Sequence, residues 1–191
     1  MKYPNLYKAF NRHIDLPIDV YLDLEGRLIH KKLGKKEFLF REGEVVKYLP
    51  FINDGLMINY IVEEDGEEHV IQIRGTGLWL GDLYSFFSDV RTRFNIQTCQ
   101  PTELLMINHE TFDYITKNHP VYEKFFRLNI QEAYVQTLNR IYNLHSATAK
   151  ERYLELIKNI PDLLDKIPHY LIASYLNIKP QSLSRIRKNL K

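Results

Sequence analysis

The residues best suited to specific chemical contacts lie at the end of the chain, where the last thirteen residues hold five Lys/Arg and no acid. Arg185 can donate two hydrogen bonds to a guanine edge, and Gln181 can pair with adenine. Arg187, Lys188 and Lys191 carry charges that would meet phosphates. This combination indicates a nucleic-acid contact, and a solvated basic surface is the alternative that charge alone leaves open.

The residues in and before this segment predict two helices that would position its side chains. Ala173 is small enough for two helices to cross closely, Asn177 tolerates a left-handed turn, and Pro180 suits the first turn of a second helix. We therefore predict a helix-turn-helix, with a support helix at 169–176 and a recognition helix at 180–190; an ordinary helical hairpin is the alternative. The residues expected to contact DNA are Pro180, Gln181, Ser182, Ser184, Arg185, Arg187 and Lys188.

Charge is distributed unevenly along the chain. The net charge is +2, but residues 146–191 hold nine Lys/Arg and four Asp/Glu, so that part carries +5 and residues 1–145 carry −3. A basic end on a slightly acidic body predicts a polyanionic partner, for which the helix-turn-helix pattern favours double-stranded DNA.

Length and composition limit the other classes of protein. Of the 191 residues, 45% are hydrophobic and 26% are charged, which suits a globular chain with a real core. No apolar run approaches a membrane span of ~18 residues, and the N-terminus leads into polar residues instead of a signal core. We expect a cytoplasmic protein with no membrane partner. The single cysteine, Cys99, excludes an intrachain disulfide, and we interpret it as a buried small hydrophobe.

The spacing of the other reactive side chains does not support catalysis. His69 is the only histidine in its strand region, so the two-histidine-plus-carboxylate cluster of metal-binding rolls is missing from the sequence. No Gly-rich phosphate loop of the Walker or dinucleotide type occurs. We therefore predict neither an enzyme nor a metal site.

Changes in the spacing of hydrophobic residues along the chain predict where its helices and strands lie. Residues 6–33 are predicted to be helical, with a break at Pro17. Short strands divided by turn signals are predicted from 37 to 107, and the Asp65-Gly66 pair predicts a hairpin. Strands at this spacing indicate an antiparallel barrel or roll. The predicted strands are 38–40, 49–52, 56–62, 69–73, 94–96 and 104–107, the last two being expected to close the roll.

A long helix is predicted from Pro120 to about residue 145, after a shorter helix introduced by Asn108. It carries two apolar stripes, which is typical of a helix buried between two partners. We expect the first stripe to pack against a second copy of this helix, and a core helix in a monomer is the alternative. Thr148 and Glu151 predict a capping box at the next helix. The first stripe is Val121, Phe125, Leu128, Val135 and Tyr142; the second is Phe126, Ile130, Ala133, Ile141 and Leu144.

Taken together, these segments resemble the Crp/Fnr family of bacterial transcription regulators over nearly the whole chain. The matching pieces are FLFREGE, DGEEHVIQI, GLWLGDLYSFF, the long helix and YLIASYLNIKPQSLSRIRKNL. The resemblance implies an α+β chain with an N-terminal antiparallel β-roll of the cyclic-nucleotide-binding, jelly-roll type (1–119), a dimerisation helix (120–145) and a C-terminal helix-turn-helix DNA-binding domain (146–191). It implies a homodimer through 120–145, with RNA polymerase as a candidate further partner. The chain ends at Lys191, so the usual wing hairpin is expected to be missing or reduced, and Lys179 replaces the common Ser/Thr cap.

In relatives that bind cyclic nucleotides, a Gly-Glu pair holds the ribose, and an Arg-Ser-Ala stretch follows whose arginine meets the phosphate. Here Gly81-Asp82 stands for the first pair with a shorter acid, and the ungapped register puts Thr92 at the arginine position, with Arg93 one residue later and facing the other side of a strand. The candidate ligand residues are Gly81, Asp82, Leu83, Thr92, Arg93, Thr137 and Leu138. We expect cyclic nucleotides to bind weakly or not at all, and another anionic ligand, or none, is favoured.

The leading hypothesis is a dimeric transcription regulator in which the roll controls the spacing of two recognition helices. A rival is a ligand-binding module whose helical tail docks a protein partner; it predicts no salt-sensitive affinity for DNA. A roll-type enzyme is a third, disfavoured by the missing metal cluster.

Overall fold

The fold combines two antiparallel sheets with helices at both ends of the chain. The structure, a computed structural model, describes residues 1–161 and 166–190. Asp162, Asp165 and Lys191, which entered the charge count, lie outside the described residues. The helices are α1 Pro4–Phe10, α2 Ile18–Glu25, α3 Leu83–Ser88, α4 His109–Asn118, α5 Pro120–Ser146, α6 Ala149–Asn159, α7 His169–Tyr175 and α8 Pro180–Lys188. The strands are β1 Ile29–Leu33, β2 Phe38–Phe40, β3 Tyr48–Asp54, β4 Leu56–Val62, β5 Glu68–Gly75, β6 Asn95–Thr98 and β7 Thr102–Asn108.

The strands form a three-stranded sheet in the order β1-β7-β3 and a four-stranded sheet in the order β2-β6-β4-β5. All described pairs are antiparallel. One core lies between the two sheets, because residues of both bury their side chains in it, among them Ile52, Met57, Ile96 and Leu104. The predicted β-roll is therefore confirmed.

The β4–β5 hairpin forms where Asp65-Gly66 predicted it. Gly66 has φ +86°, a left-handed conformation that glycine adopts without strain, and its N–H donates to the Glu63 carbonyl at 2.9 Å. The Asp65 carboxylate accepts from the Glu67 N–H at 2.9 Å. The turn thus fixes the register that pairs Val62 with Glu68.

The structure differs from the sequence-based expectations in three elements. Residues 29–33 form strand β1, not the end of a helix, because α2 ends at Glu25 and the next segment pairs with β7 in a register that joins Ile29 to Met106. Helix α3 was missed; the Asp82 carboxylate caps it by accepting from the Ser85 N–H. The last two strands, expected to close the roll, lie in different sheets, since β6 pairs with β2 and β4 while β7 pairs with β1 and β3.

The predicted helices that follow the roll are confirmed. Asn108 caps α4 by accepting from the Thr111 N–H at 2.9 Å. Helix α5 starts at Pro120 and runs 27 residues. The capping box at α6 is complete: the Thr148 N–H donates to Glu151 Oε2 at 2.7 Å, and the Glu151 N–H donates to Thr148 Oγ1 at 3.3 Å. These caps satisfy backbone donors that a helix start otherwise leaves unpaired.

The first half of α5 belongs to the core of its own chain. Phe125 packs edge-on against Phe10 of α1, with ring centroids 4.5 Å apart, and Val121 and Leu128 lie against the same cluster. The expectation that Phe125 packs against a second copy is therefore wrong, whereas Val121 and Leu128 are only partly buried and their contact with a second copy stays a prediction. The sequence shows the stripe but not which end of it the N-terminal helices cover.

The C-terminal helices pack directly on the edge of the four-stranded sheet. Leu171 and Ile172 of α7 share a buried cluster with Val70 and Ile73 of β5. The Ser174 hydroxyl accepts from the Val70 N–H at 3.0 Å and donates to the Glu68 carbonyl at 2.7 Å. The roll and the C-terminal helices therefore form one continuous core in this conformation.

Candidate DNA-binding and ligand-binding sites

Helices α7 and α8 form the predicted helix-turn-helix. Asn177 between them has φ +52°, and the Ile178 N–H donates to the Ala173 carbonyl at 3.0 Å, which closes the turn. Ala173 is fully buried where the helices cross, and Leu183 anchors α8 in the same cluster. The small residue at the crossing and the left-handed turn residue thus have the roles that the sequence predicted.

Helix α8 presents a polar face with no acid. Gln181, Ser184, Arg185 and Lys188 are exposed, whereas Ser182 and Arg187 are half-buried. Pro180 starts the helix, and Lys179 at the N-cap makes no side-chain capping bond, as expected. Within the described part of the chain, no ion pair engages the basic residues of α8. The exposed face therefore keeps its hydrogen-bonding groups available for base edges or phosphates.

Arg187 lies near the start of the support helix. The pKa of His169, at the start of α7, is lowered by burial and by the positive charge of Arg187. A half-buried arginine at this position suits a contact with the phosphate backbone at the margin of a groove.

A second surface with functional potential is the exposed apolar row along the second half of α5. Its members are exposed by 42% at Ile130, 63% at Tyr134, 46% at Leu138 and 50% at Ile141. They recur every three or four residues, as in a helix-pairing seam, and Val135 and Tyr142 are exposed beside them. We call Ile130, Tyr134, Leu138 and Ile141 the seam. Two residues of the seam, Ile130 and Ile141, belong to the second predicted stripe. Of the first predicted stripe, Val135 and Tyr142 are exposed.

The segment from Gly81 to Arg93 corresponds to the part of the relatives that binds a cyclic nucleotide. Here its own residues hydrogen-bond to one another. The buried Asp82 carboxylate accepts from the Thr92 hydroxyl at 2.8 Å with one oxygen and from the Ser85 N–H at 3.2 Å with the other. Thr92 is buried as well, while Arg93 is exposed and Arg91 donates to the Gly43 carbonyl at 2.6 Å. The structure thus brings Asp82 and Thr92 together and leaves Arg93 outside.

Next to this segment lies a cavity of about 360 Å³ between α1, β5, the β5–α3 connection and α5. Among the candidate ligand residues, Gly81 and Leu83 line it. Thr137 donates its hydroxyl to the Ala133 carbonyl and lines a second cavity, and Leu138 lies on the seam. The lining also includes Arg12 and Arg74, which sequence reasoning missed; an arginine within the apolar alternation of β5 was the available signal.

The remaining reactive groups have structural surroundings. Cys99 is buried, and burial raises the pKa of its thiol to about 12, so it is protonated and inert at neutral pH. This confirms the interpretation of Cys99 as a small hydrophobe. No group of His, Cys, Asp and Glu suitable for a metal ion occurs in residues 1–161 and 166–190. Among the described helices, none is long and apolar enough to cross a membrane.

We expect cyclic AMP and cyclic GMP to give no saturable heat in calorimetry at concentrations up to about 1 mM. The reason is that Asp82 already uses both carboxylate oxygens inside the protein, and Thr92 supplies no charge for a phosphate. Binding in the sub-micromolar range that is lost in Arg93→Ala would contradict this and would make Arg93 the phosphate ligand.

Comparison with known proteins agrees with the fold. Residues 30–119 match the cyclic nucleotide-binding domain family. The regulator CLP of Xanthomonas campestris is similar over 91% of both chains, with 14% identity and a TM-score of 0.71. FixK2 of Bradyrhizobium japonicum is similar over 85% of this chain and 84% of its own, with 17% identity and a TM-score of 0.71. The catabolite activator protein of Thermus thermophilus is similar over 92% and 84%, with 17% identity and a TM-score of 0.57. No curated protein sequence matches.

The protein thus shares the fold of these solved structures, with a β-roll, a long helix and a helix-turn-helix. Residues 30–119 match the cyclic nucleotide-binding domain family, and the structural neighbours are Crp/Fnr-type transcription regulators, not enzymes. The resemblance stated from the sequence is therefore confirmed. The identities to the solved structures, at 14–17%, carry the fold and not the ligand.

Proposed function

We propose that this chain is a dimeric, sequence-specific DNA-binding transcription regulator whose β-roll controls its helix-turn-helix. The observation that carries the proposal is the acid-free polar face of α8, where Gln181, Arg185 and Lys188 are exposed on a helix anchored by buried Leu183. Arg185 and Gln181 have the donors and acceptors that read base edges in the major groove. Lys188 and Arg187 have the charge that phosphates attract. A DNA partner agrees with the cytoplasmic location expected from the sequence.

We assign one role to each of the three predicted domains. Residues 1–119 act as the sensor, 120–145 as the dimerisation helix and 146–191 as the DNA-binding domain. The seam on α5 supports the dimer, because four exposed large side chains in one row form an apolar surface that a two-fold partner helix would cover. Two recognition helices related by such an axis would meet half-sites about 34–36 Å apart, one turn of DNA.

Arg140 supports a physical route from the sensor to the DNA-binding helices. Its guanidinium donates to the Ile71 carbonyl of β5 at 2.7 Å and to the Tyr175 carbonyl of α7 at 3.0 Å, and it lies 4.3 Å from the centre of the Tyr175 ring. One side chain of the dimerisation helix thus binds both the sensor strand and the support helix. A shift of β5 against α5 would therefore change the placement of α7 and α8.

The test is selection of binding sites from a random duplex library by the full chain, followed by titration of the selected duplex at several salt concentrations. We expect a preferred, nearly palindromic sequence and an affinity that falls steeply with salt. A chain that binds no duplex, or that binds all duplexes equally, would contradict the proposal. An affinity for protein without salt-sensitive DNA binding would favour the rival, a ligand-binding module whose helical tail docks a partner. RNA polymerase as a further partner stays a prediction.

A further inference from the structure

A short stretch of the β-roll carries a charge opposite to that of the rest of the roll. Residues 31–41 hold four lysines and one arginine against a single acid, so their net charge is +4. Residues 1–145 together carry −3, and the remainder of them therefore carries −7. The stretch covers the end of β1, the β1–β2 connection and β2 with the residue after it. We call its five cations, Lys31, Lys32, Lys35, Lys36 and Arg41, the basic patch.

The side chains of the basic patch are available to a polyanion. All five are exposed. Within the described part of the chain, the one ion pair that involves them joins Lys32 Nζ to Glu103 Oε1 at 3.9 Å, a distance at the limit for such a pair. The acid of the stretch, Glu37, uses its carboxylate to accept from the Gly34 N–H at 2.8 Å. The patch therefore keeps most of its charge for a partner.

The β1–β2 connection holds two of these lysines in a defined turn. Lys36 has φ +63°, a left-handed conformation that glycine adopts without strain and lysine rarely adopts. Its N–H donates to the Thr98 carbonyl at 3.0 Å, and its carbonyl accepts from Gln97 Nδ-type amide nitrogen Nε2 at 3.0 Å. Contacts with β6 thus maintain the turn on which Lys35 and Lys36 are exposed.

The basic patch adjoins the core on which the C-terminal helices are mounted. Phe38 of β2 packs against the buried cluster that contains Leu183 of α8, and the Arg41 guanidinium lies 3.6 Å from the centre of the Phe38 ring. Cys99 belongs to the same cluster, and the positive charge of Lys35 opposes the rise that burial causes in the pKa of its thiol. Lys35 and Arg41 therefore lie beside the helices that carry the proposed recognition face.

Double-stranded DNA is the polyanion that this position favours. A duplex carries one negative charge per about 1.7 Å of its axis, so a row of phosphates continues beyond the bases that α8 would contact. Four of the five cations are lysines, whose compact charge on a flexible stem binds phosphates without the fixed fork geometry of arginine. Such contacts add affinity without sequence preference. An acidic protein surface is the competing occupant.

We propose that the basic patch binds the phosphate backbone of the DNA that flanks the site read by α8. The inference rests on the proposed DNA-binding function and adds a second contact, which lies on the sensor instead of the DNA-binding helices. Because the patch and α8 belong to different parts of the chain, one duplex can engage both only when these parts keep a suitable relative position. The affinity for long DNA would then depend on how the C-terminal helices sit against the roll.

The experiment titrates the full chain with the selected duplex and with the same duplex extended on one side by about 15 bp of arbitrary sequence, roughly one and a half turns. Both titrations are repeated at several salt concentrations. We expect the extension to tighten binding about tenfold or more at low salt and to steepen the salt slope by about 1.8 or more, the value for two phosphate contacts. Lys35→Gln/Lys36→Gln should remove about 1.8 of this steepening and leave the affinity for the unextended duplex within about twofold.

Lys8→Gln/Lys117→Gln is the matched control. It removes two exposed charges from α1 and α4, which pack against a different cluster that includes residues of β3 and β7. In this variant the extension should tighten binding as it does in the unchanged chain. Lys31→Gln/Lys32→Gln, on strand β1, tests the patch independently of the strained turn at Lys36.

The outcomes separate the patch from the proposed function. Equal affinity for the extended and unextended duplexes would overturn the inference and favour an acidic protein surface as the occupant. A gain from the extension that persists in full in both patch variants would also overturn it. The unextended duplex reports on α8 alone, so the regulator function stands if it binds while the extension adds nothing. A chain that binds neither duplex would contradict the proposed function and the inference with it.

Discussion

Replacing Leu138 by glutamate is expected to convert a dimer into a monomer and to lower the affinity for the selected duplex at least about 100-fold. Leu138 lies within the seam, 46% exposed in the single chain. In a two-fold dimer each introduced carboxylate would be buried near its symmetry mate, with no cation opposite it, and such an uncompensated charge costs about 3–5 kcal/mol. Sedimentation at micromolar concentration measures the assembly, and titration of the duplex measures the affinity.

Asn139→Glu is the matched control for Leu138→Glu. It adds the same charge at the next residue of α5, which is exposed but lies outside the seam. We expect it to remain dimeric. A wild-type chain that sediments as a monomer and stays monomeric on DNA would contradict the dimer, and so would a dimer that is unaffected by Leu138→Glu.

Removing the guanidinium in Arg185→Ala is expected to abolish discrimination at one base pair of each half-site, worth about 1–3 kcal/mol. Arg185 is exposed on α8 and has no ion-pair partner among the described residues, so its substitution leaves the protein fold intact. The measurement is the ratio of affinities for the selected duplex and for duplexes changed at single positions. An unchanged ratio at every position would show that α8 does not read the bases.

Two companion variants separate base reading from charge. Arg185→Lys keeps the charge but cannot make the paired hydrogen bonds, so we expect discrimination to fall while the salt dependence stays nearly the same. Arg187→Ala should weaken binding to all sequences and flatten the salt slope by about 0.9, the value for one phosphate contact. The opposite pattern, with Arg187 carrying the discrimination, would assign the base contact to the half-buried side of the helix.

The helix-turn-helix could be predicted closely because its determinants are local. A small residue at 173, a left-handed turn at 177 and a proline at 180 each act within one or two turns of chain. The β4–β5 hairpin was predictable for the same reason, since Asp65-Gly66 sets its turn. Strand β1 was not, because pairing with β7, 69 to 77 residues away in sequence, overrides its local pattern.

The candidate sites, too, could be predicted only where their determinants are local in sequence. The exposed face of α8 follows from the helical period alone. The cavity does not, because Arg12 and Arg74 lie in different elements and line the same cavity only when α1 packs beside the turn after β5. The ungapped register did bring Asp82 and Thr92 together, but their direct hydrogen bond depends on a helix, α3, that the sequence analysis missed.

The position of Ser174 has a consequence for truncated fragments of the protein. Strand β5 is the outer strand of its sheet, and the Ser174 hydroxyl satisfies the Glu68 carbonyl and the Val70 N–H as a neighbouring strand would. A fragment that stops before α7 would present these groups bare, beside Val70 and Ile73 without their covering helix. Open edges with apolar neighbours recruit strands from other molecules, so such a fragment is expected to self-associate into aggregates. A charged substitution along that edge would be needed to keep the fragment soluble.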